Sequence, residues 1–341
     1  MQILDAERES KIWPLFRLGF RVFFLGGALF ATLAMAIWAL TLSGAPLLPG
    51  ITNPIWWHAH EMIFGFGLAI VAGFVLTAIQ NWTGIPGIRS WPLALVAGLW
   101  LLPRLLMPLR GELNLLVMVL DLLWLPLVAG MLARPIIQIK QWRNLFFVPL
   151  LAFFTLLNAL SYYAAFGHNW LLAERVFITA VLALTALLAV MGGRVIPFFT
   201  SRATNTEKPQ PIAWLEKLSL GALWLCALGW LLLPRTALFN GLLALILLTA
   251  AISNLARLAR WNSKLTLNIP LLWILHLGYL FIPMGLLALA AALLQWGITV
   301  SLASHWLTAG ALAAVILGMI ARVSLGHSGR PLEIGRSMVV A

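Results

Sequence analysis

The chain has little that a soluble protein needs. It holds one cysteine, ten acidic residues and three tyrosines in 341 residues. The lone Cys226 makes no intramolecular disulfide, and within an apolar helix it reads as a buried, inert thiol rather than a redox centre. Charged residues make up 9% of the chain against 62% hydrophobic, and the mean hydropathy is +0.98. A soluble surface must be charged, so a soluble globular protein is excluded. There is no fixed-period repeat, and the breaks between apolar runs are too short to hold a soluble domain. No basic stripe with interleaved stacking residues is present, so nucleic acid is not a partner. The net charge of +12 suits inner loops facing anionic membrane lipid instead. The opening stretch MQILDAERESKIWPLFRLGFR carries Asp5, Glu7 and Glu9 and no small-residue cleavage site, so it does not read as a removable signal peptide.

What is abundant is long apolar sequence. Runs such as Val22–Leu42 and Leu302–Leu325 cross about 30 Å of hydrocarbon as helices. Hydropathy and breaks predict an all-α, polytopic transmembrane bundle of about ten spans: 20–43, 58–81, 91–109, 113–133, 145–166, 174–200, 214–233, 236–256, 270–294 and 302–325. The breaks carry Pro, Gly and Asn, as in SGAPLLPGITNP and TNTEKPQP, which is turn chemistry. Tryptophans such as Trp56, Trp82, Trp142, Trp214 and Trp306 fall near span ends, where the ring prefers the interface. With the N-terminus cytoplasmic, only Arg110, Arg175 and Arg235 fall in outer loops. Arg104 and Arg194 fall inside spans, and the rest of the 22 basic residues lie in inner segments. That bias supports an even count with both termini cytoplasmic. The expected organisation is one integral membrane domain over 1–341, with a cytoplasmic segment 1–19, spans over 20–325 and a tail 326–341.

This topology sorts the histidines by depth. His58, His60 and His305 stand at outer ends of spans, His168 in an outer loop, His276 within the ninth span and His327 just past the tenth on the inner side. Imidazole is the commonest ligand of haem iron and of copper. In HAHEMIFGFG, His58 and His60 point about 200° apart on an α-helix and cannot hold one metal side by side. His58 and Glu61 share a face, and His60 shares one with Phe64 and Gly67, where a glycine leaves room for a macrocycle. His60 is therefore expected as an axial ligand, with Glu61 and His58 as supporting groups or a separate proton-handling site. The bland reading of His58 and His168 is a polar cap or loop residue. For His276 it is less apt, because an unpaired ring that deep is hard to satisfy. Arg104 and Asp121, on adjacent antiparallel spans, read as a structural ion pair in preference to a proton path.

A second group lies on the inner side. VMGGRVIPFF brings Arg194, and GMIARVSLGHSGRP brings Arg322, His327 and Arg330. Guanidinium groups beside a histidine suit haem propionates, since Arg pairs carboxylates in a fork. Topology charges on lipid phosphates are the alternative for Arg322 and Arg330. Gly65, Gly67, Gly73, Gly310 and Gly318 read as close-packing positions.

PLFRLGFRVFFLGG, WWHAHEMIFGFGLAIVAGFVLTAIQNWTG, GGRVIPFFT, LHLGYLFIPMGLL and HWLTAGALAAVILGMIARVSLGHSGRPL together resemble the NnrS family over about residues 13–332. The resemblance implies a bacterial inner-membrane protein with haem b and copper that relieves nitrosative stress, with nitric oxide as a ligand. It implies that His58, His60, Glu61, Arg194, His276, His305, His327 and Arg330 occupy motif positions. Which histidines hold iron and which copper stays open, as does whether a reaction is catalysed. It also implies about two further spans beyond GRSMVVA, where this chain stops. Two rival functions remain from the residues alone. One is a transporter using Glu61, Asp121, Arg104 and Arg194, and the other a quinol-linked nitric oxide reductase or oxidase built on His58, His60, His305 and Glu61.

Overall fold

A computed structural model describes residues 11–327 except Pro46 and Glu112, and of His327 only the backbone. Among the described residues the chain is all-helical, and ten helices are long and apolar enough to cross a membrane. They are α1 (Gly19–Leu42), α2 (Pro54–Thr83), α3 (Trp91–Arg110), α4 (Leu115–Gln138), α5 (Phe147–Phe166), α6 (Trp170–Thr204), α7 (Ala213–Leu232), α8 (Ala237–Ala259), α9 (Pro270–Leu293) and α10 (Val300–Gly326). The span count read from hydropathy holds, because hydrocarbon thickness sets a length that sequence displays directly.

Local chemistry sets the ends. Asn53 caps α2 by accepting from the amides of Ile55 and Trp56, with Pro54 in the first turn. This starts the helix four residues before the reading that began it at His58. Asn114 caps α4 in the same manner, and Gly84, at φ +71°, closes α2 in the left-handed conformation.

Two helices depart from α geometry. A seven-residue π-helical segment runs over Glu61–Gly67 in α2, and another over Trp306–Leu312 in α10. Each begins at the residue after a histidine, His60 or His305. A π turn bonds i to i+5, which places an extra residue in the turn and shifts the side-chain register.

The chain divides into two compact units, Met1–Phe177 and Ile178–Ala341. In the first, α1 packs on α2, and α4 packs on α2, α3 and α5. Glycine sets the closest approach: a Cβ on Gly73 would lie 2.8 Å from Cβ of Phe23. Thr77 then donates to the Gly73 carbonyl (2.7 Å) and accepts from the Phe20 amide (2.8 Å), which satisfies a free N–H at the start of α1. In the second unit α8 packs on α7 and α9, and α9 packs also on α10. There a Cβ on Gly310 would lie 2.6 Å from the Phe281 ring, and one on Gly318 2.8 Å from Ile274. Leu29, Leu105, Leu123, Leu245 and Leu255 stay exposed on the helices, as a lipid-facing surface requires.

Candidate functional site

The N-terminal half of α2 carries a dense polar cluster. His60, Glu61, Arg104, Asp121, Asn158 and Tyr162 are all buried, and they come from α2, α3, α4 and α5. Glu61 Oε1 lies 3.0 Å from His60 Nδ1. His60 Nε2 lies 2.9 Å from Asn158 Oδ1 and 3.2 Å from Asp121 Oδ2. Asp121 Oδ2 also accepts from Asn158 Nδ2 (2.8 Å) and from the Tyr162 hydroxyl (3.1 Å), while Asp121 Oδ1 accepts from Arg104 Nη1. Arg104 Nε sits 3.3 Å from Glu61 Oε2, an ion pair whose angle is too poor for a hydrogen bond. The expected Arg104–Asp121 pair is therefore present, within a larger network.

The local sequence explains the convergence. The helix keeps its α register as far as Glu61, whose amide bonds the carbonyls of Trp57 and His58, and the π segment that starts there shifts the residues after it. The Glu61 carboxylate bonds its chain neighbour His60. Gly65 makes room for both charges, because a Cβ there would lie 2.7 Å from Glu61 Oε2 and 3.3 Å from Arg104 Nε. Its carbonyl accepts from Trp100 Nε1 at 2.8 Å. Trp56 lies nearly flat on the His60 ring, with centroids 4.5 Å apart at 19°, and its own Nε1 donates to the Ser161 carbonyl. His58, half-buried, stacks on Trp38 (4.5 Å, 13°) on its own side of the helix.

The second unit has its own network. Arg257 of α8 donates to both oxygens of Glu216 on α7, from Nε and Nη2, each at 2.8 Å. Its Nη1 donates to Asn254 Oδ1 (3.1 Å) and to the Tyr279 hydroxyl (2.5 Å), and Nη2 reaches the Ala189 carbonyl (3.2 Å). Tyr279 donates onward to Asn254 Oδ1 at 2.6 Å. The glycine pair of VMGGRV makes the space: a Cβ on Gly193 would collide with Arg257 Nη2, and one on Gly192 would lie 2.9 Å from the Tyr279 ring.

The remaining expected residues fall apart from these clusters. His276 of α9 is buried, with Nε2 2.9 Å from the Thr200 hydroxyl and Nδ1 2.8 Å from that of Ser263. His305 is exposed at the end of the first α segment of α10, and its Nδ1 donates to the Ser301 carbonyl at 2.7 Å. The Arg322 guanidinium lies 3.7 Å over the Phe199 ring. Arg194 is half-buried in α6. Arg330 and the side chain of His327 lie outside the described residues. Among the described residues no group of three or more His, Cys, Asp and Glu is arranged to hold a metal ion.

These contacts test the cofactors that the resemblance implies. His60 and His276 have both ring nitrogens engaged by protein groups, so neither fits an iron or copper ion as placed. At His305 a backbone carbonyl fixes the proton on Nδ1, which is how a ligating imidazole is usually oriented.

Sequence reasoning missed Asn158, Tyr162, Glu216, Asn254, Arg257 and Tyr279. Asn158 carried a usable signal, since a polar amide inside an apolar span is costly unless paired. So did Asn254 and Arg257, which stand three apart on one helix face. Comparison with curated proteins and with solved structures returned no match. A family model described as NnrS protein matches residues 14–341, nearly the whole chain, and with that match the chain belongs to the NnrS family.

Proposed function

We propose that the protein is a multi-pass haem protein of the bacterial inner membrane, with copper as a second metal, acting in the nitric oxide and nitrosative-stress response. The family match over residues 14–341 carries this reading. Haem, when bound, supplies an iron that takes nitric oxide as a ligand. His305 is the described histidine assigned to hold it, because the Ser301 carbonyl takes its Nδ1 proton and fixes the ring. His327 is the other candidate. The two are 22 residues apart on α10, roughly 33 Å along a helix axis, so they serve different groups. Arg322 stacked on Phe199, with Arg194 and Arg330, offers guanidinium edges to propionates on the inner side. The excess of basic residues in inner segments supports cytoplasmic termini and lipid contact there.

The test is an optical spectrum of the full chain, purified from haem-replete cells, oxidised and then reduced with dithionite. A Soret band that moves on reduction and again on adding nitric oxide supports the proposal. A spectrum without a Soret band contradicts it.

A second reading, ion or substrate transport, is favoured by one observation: Glu61, Arg104 and Asp121 sit buried together within apolar spans. Solute or proton movement into proteoliposomes without any chromophore would put it first. A quinol-linked reductase needs a metal site with an open position. Neither His60 nor His276 provides one while its hydrogen bonds are kept.

A further inference from the structure

We infer that His60 is not a metal ligand but the second cation of a charge-neutral membrane core, positioning Glu61 and Asp121 against Arg104. Three observations carry it.

The first is the nature of its partners. Glu61 Oε1, Asn158 Oδ1 and Asp121 Oδ2 are all acceptors. The Asn158 amide is not free to turn round, because its Nδ2 donates to Asp121 Oδ2 at 2.8 Å. With Glu61 held as a carboxylate by the Arg104 guanidinium 3.3 Å from its Oε2, both ring nitrogens donate, which only the imidazolium does.

The second is the wall around the ring. Trp56 covers one face at 4.5 Å, while Phe64 and Tyr162 stand 5.3 and 5.2 Å away. Aromatic faces favour a cation. The two positions where iron would bind, Nδ1 and Nε2, are already taken by Glu61 and by Asn158 with Asp121, and His60 is fully buried.

The third is the charge count. The ionisable groups of the network are Glu61 on α2, Arg104 on α3 and Asp121 on α4, beside the hydroxyl of Tyr162 on α5. Two carboxylates and one guanidinium leave one negative charge in a place with little solvent. The imidazolium cancels it, and a buried ion cluster survives only when charges and hydrogen bonds are both satisfied. Haem iron on Nε2 or Nδ1 would displace a ring proton and orphan a carboxylate.

The experiment uses the full chain with His60→Gln, His60→Lys, Asp121→Asn, and the His60→Gln/Asp121→Asn pair. Thermal midpoints and bound iron and copper per folded chain are measured for each. The expected result is a midpoint lowered by roughly 10 °C for either neutralising single change. The pair should lose no more than its worse single member, because neutrality returns. The Lys variant, which keeps the cation, should fall between wild type and Gln, and metal per folded chain should match wild type throughout. Additive losses in the pair overturn the inference. So does metal lost from the folded Lys variant and from the pair while Asp121→Asn retains it. If wild type itself binds no metal, the family-based cofactor reading fails separately, and the additivity of the pair alone decides the role of His60. If His60→Gln does not fold, recovery of folding in the pair supports the inference. A pair that also fails to fold, beside a folded Asp121→Asn, contradicts it.

Discussion

The guanidinium of Arg257 occupies the space that any side chain on residue 193 would need. Glycine there is a socket, and α6, α7, α8 and α9 meet around the Arg257 side chain it admits. Gly193→Ala is expected to cost about 2–3 kcal/mol, since a methyl group must displace a guanidinium with five hydrogen bonds. Gly221→Ala, on the same unit with open space around its Cβ position, should be neutral or slightly stabilising. Thermal unfolding in detergent checks both, and equal losses would refute the socket.

Removing the guanidinium itself should do more. Arg257→Met leaves Glu216 without its ion partner and Asn254 and Tyr279 with one bond fewer each, and is expected to cost about 3–5 kcal/mol. Glu216→Gln should cost much less, because the Glu216 side chain is 31% exposed and water replaces part of what is lost. Chemical denaturation of the two variants orders them, and the reverse order would contradict the network as described.

The π segment of α2 yields a register test. Deleting Ile63 removes the extra residue and favours a continuous α-helix. His60 and Glu61 then rotate away from Asn158 and Arg104, so the deletion should destabilise the first unit strongly. Deleting Gly98 from α3 is not comparable, because that helix is α throughout. The matched comparison is Gly65→Ala, which keeps the register and crowds Glu61 Oε2 and Phe30, and is expected to cost about 2–3 kcal/mol. Protease resistance of the folded chain reports both. A deletion as stable as wild type would show that the π register does not position the cluster.

Which parts of this were legible follows from how each signal is encoded. Span number and length are written in hydropathy, because each helix must cross the same thickness. Arg104 and Asp121 were legible as a pair because opposite charges on consecutive antiparallel helices have few other partners at that depth. The partner of Glu61 was not legible. It is the adjacent residue His60, a pairing that helical face spacing does not encode, and nothing in EMIFGFG announces the π turn that follows it. Arg257 was read as a charge at the end of a span, where basic residues also serve topology, so its inward aim stayed hidden. His276 finds Thr200 and Ser263 on segments distant in sequence, a match that no local spacing encodes. The glycines showed that something packed closely, without showing that the neighbour of Gly193 was a charged side chain rather than a helix backbone.

His276 offers a contrast with the α2 cluster. It is held by two hydroxyls and no carboxylate, so His276→Gln, which can bond one of them, should cost about 1–2 kcal/mol and leave any bound metal in place. Unfolding midpoint and metal content measured together check this. Loss of metal from a folded His276→Gln chain would make it a ligand.

The most direct measurement is the reduced-minus-oxidised spectrum of haem-replete wild type beside folded His60→Lys, His305→Ala and His327→Ala. The expected result is a Soret band in wild type that persists in His60→Lys and is lost or displaced in at least one of the α10 variants. A haem-replete wild type without the band would contradict the proposed function. A band lost in His60→Lys and unchanged in both α10 variants would contradict the assignment of His60 to the charged core.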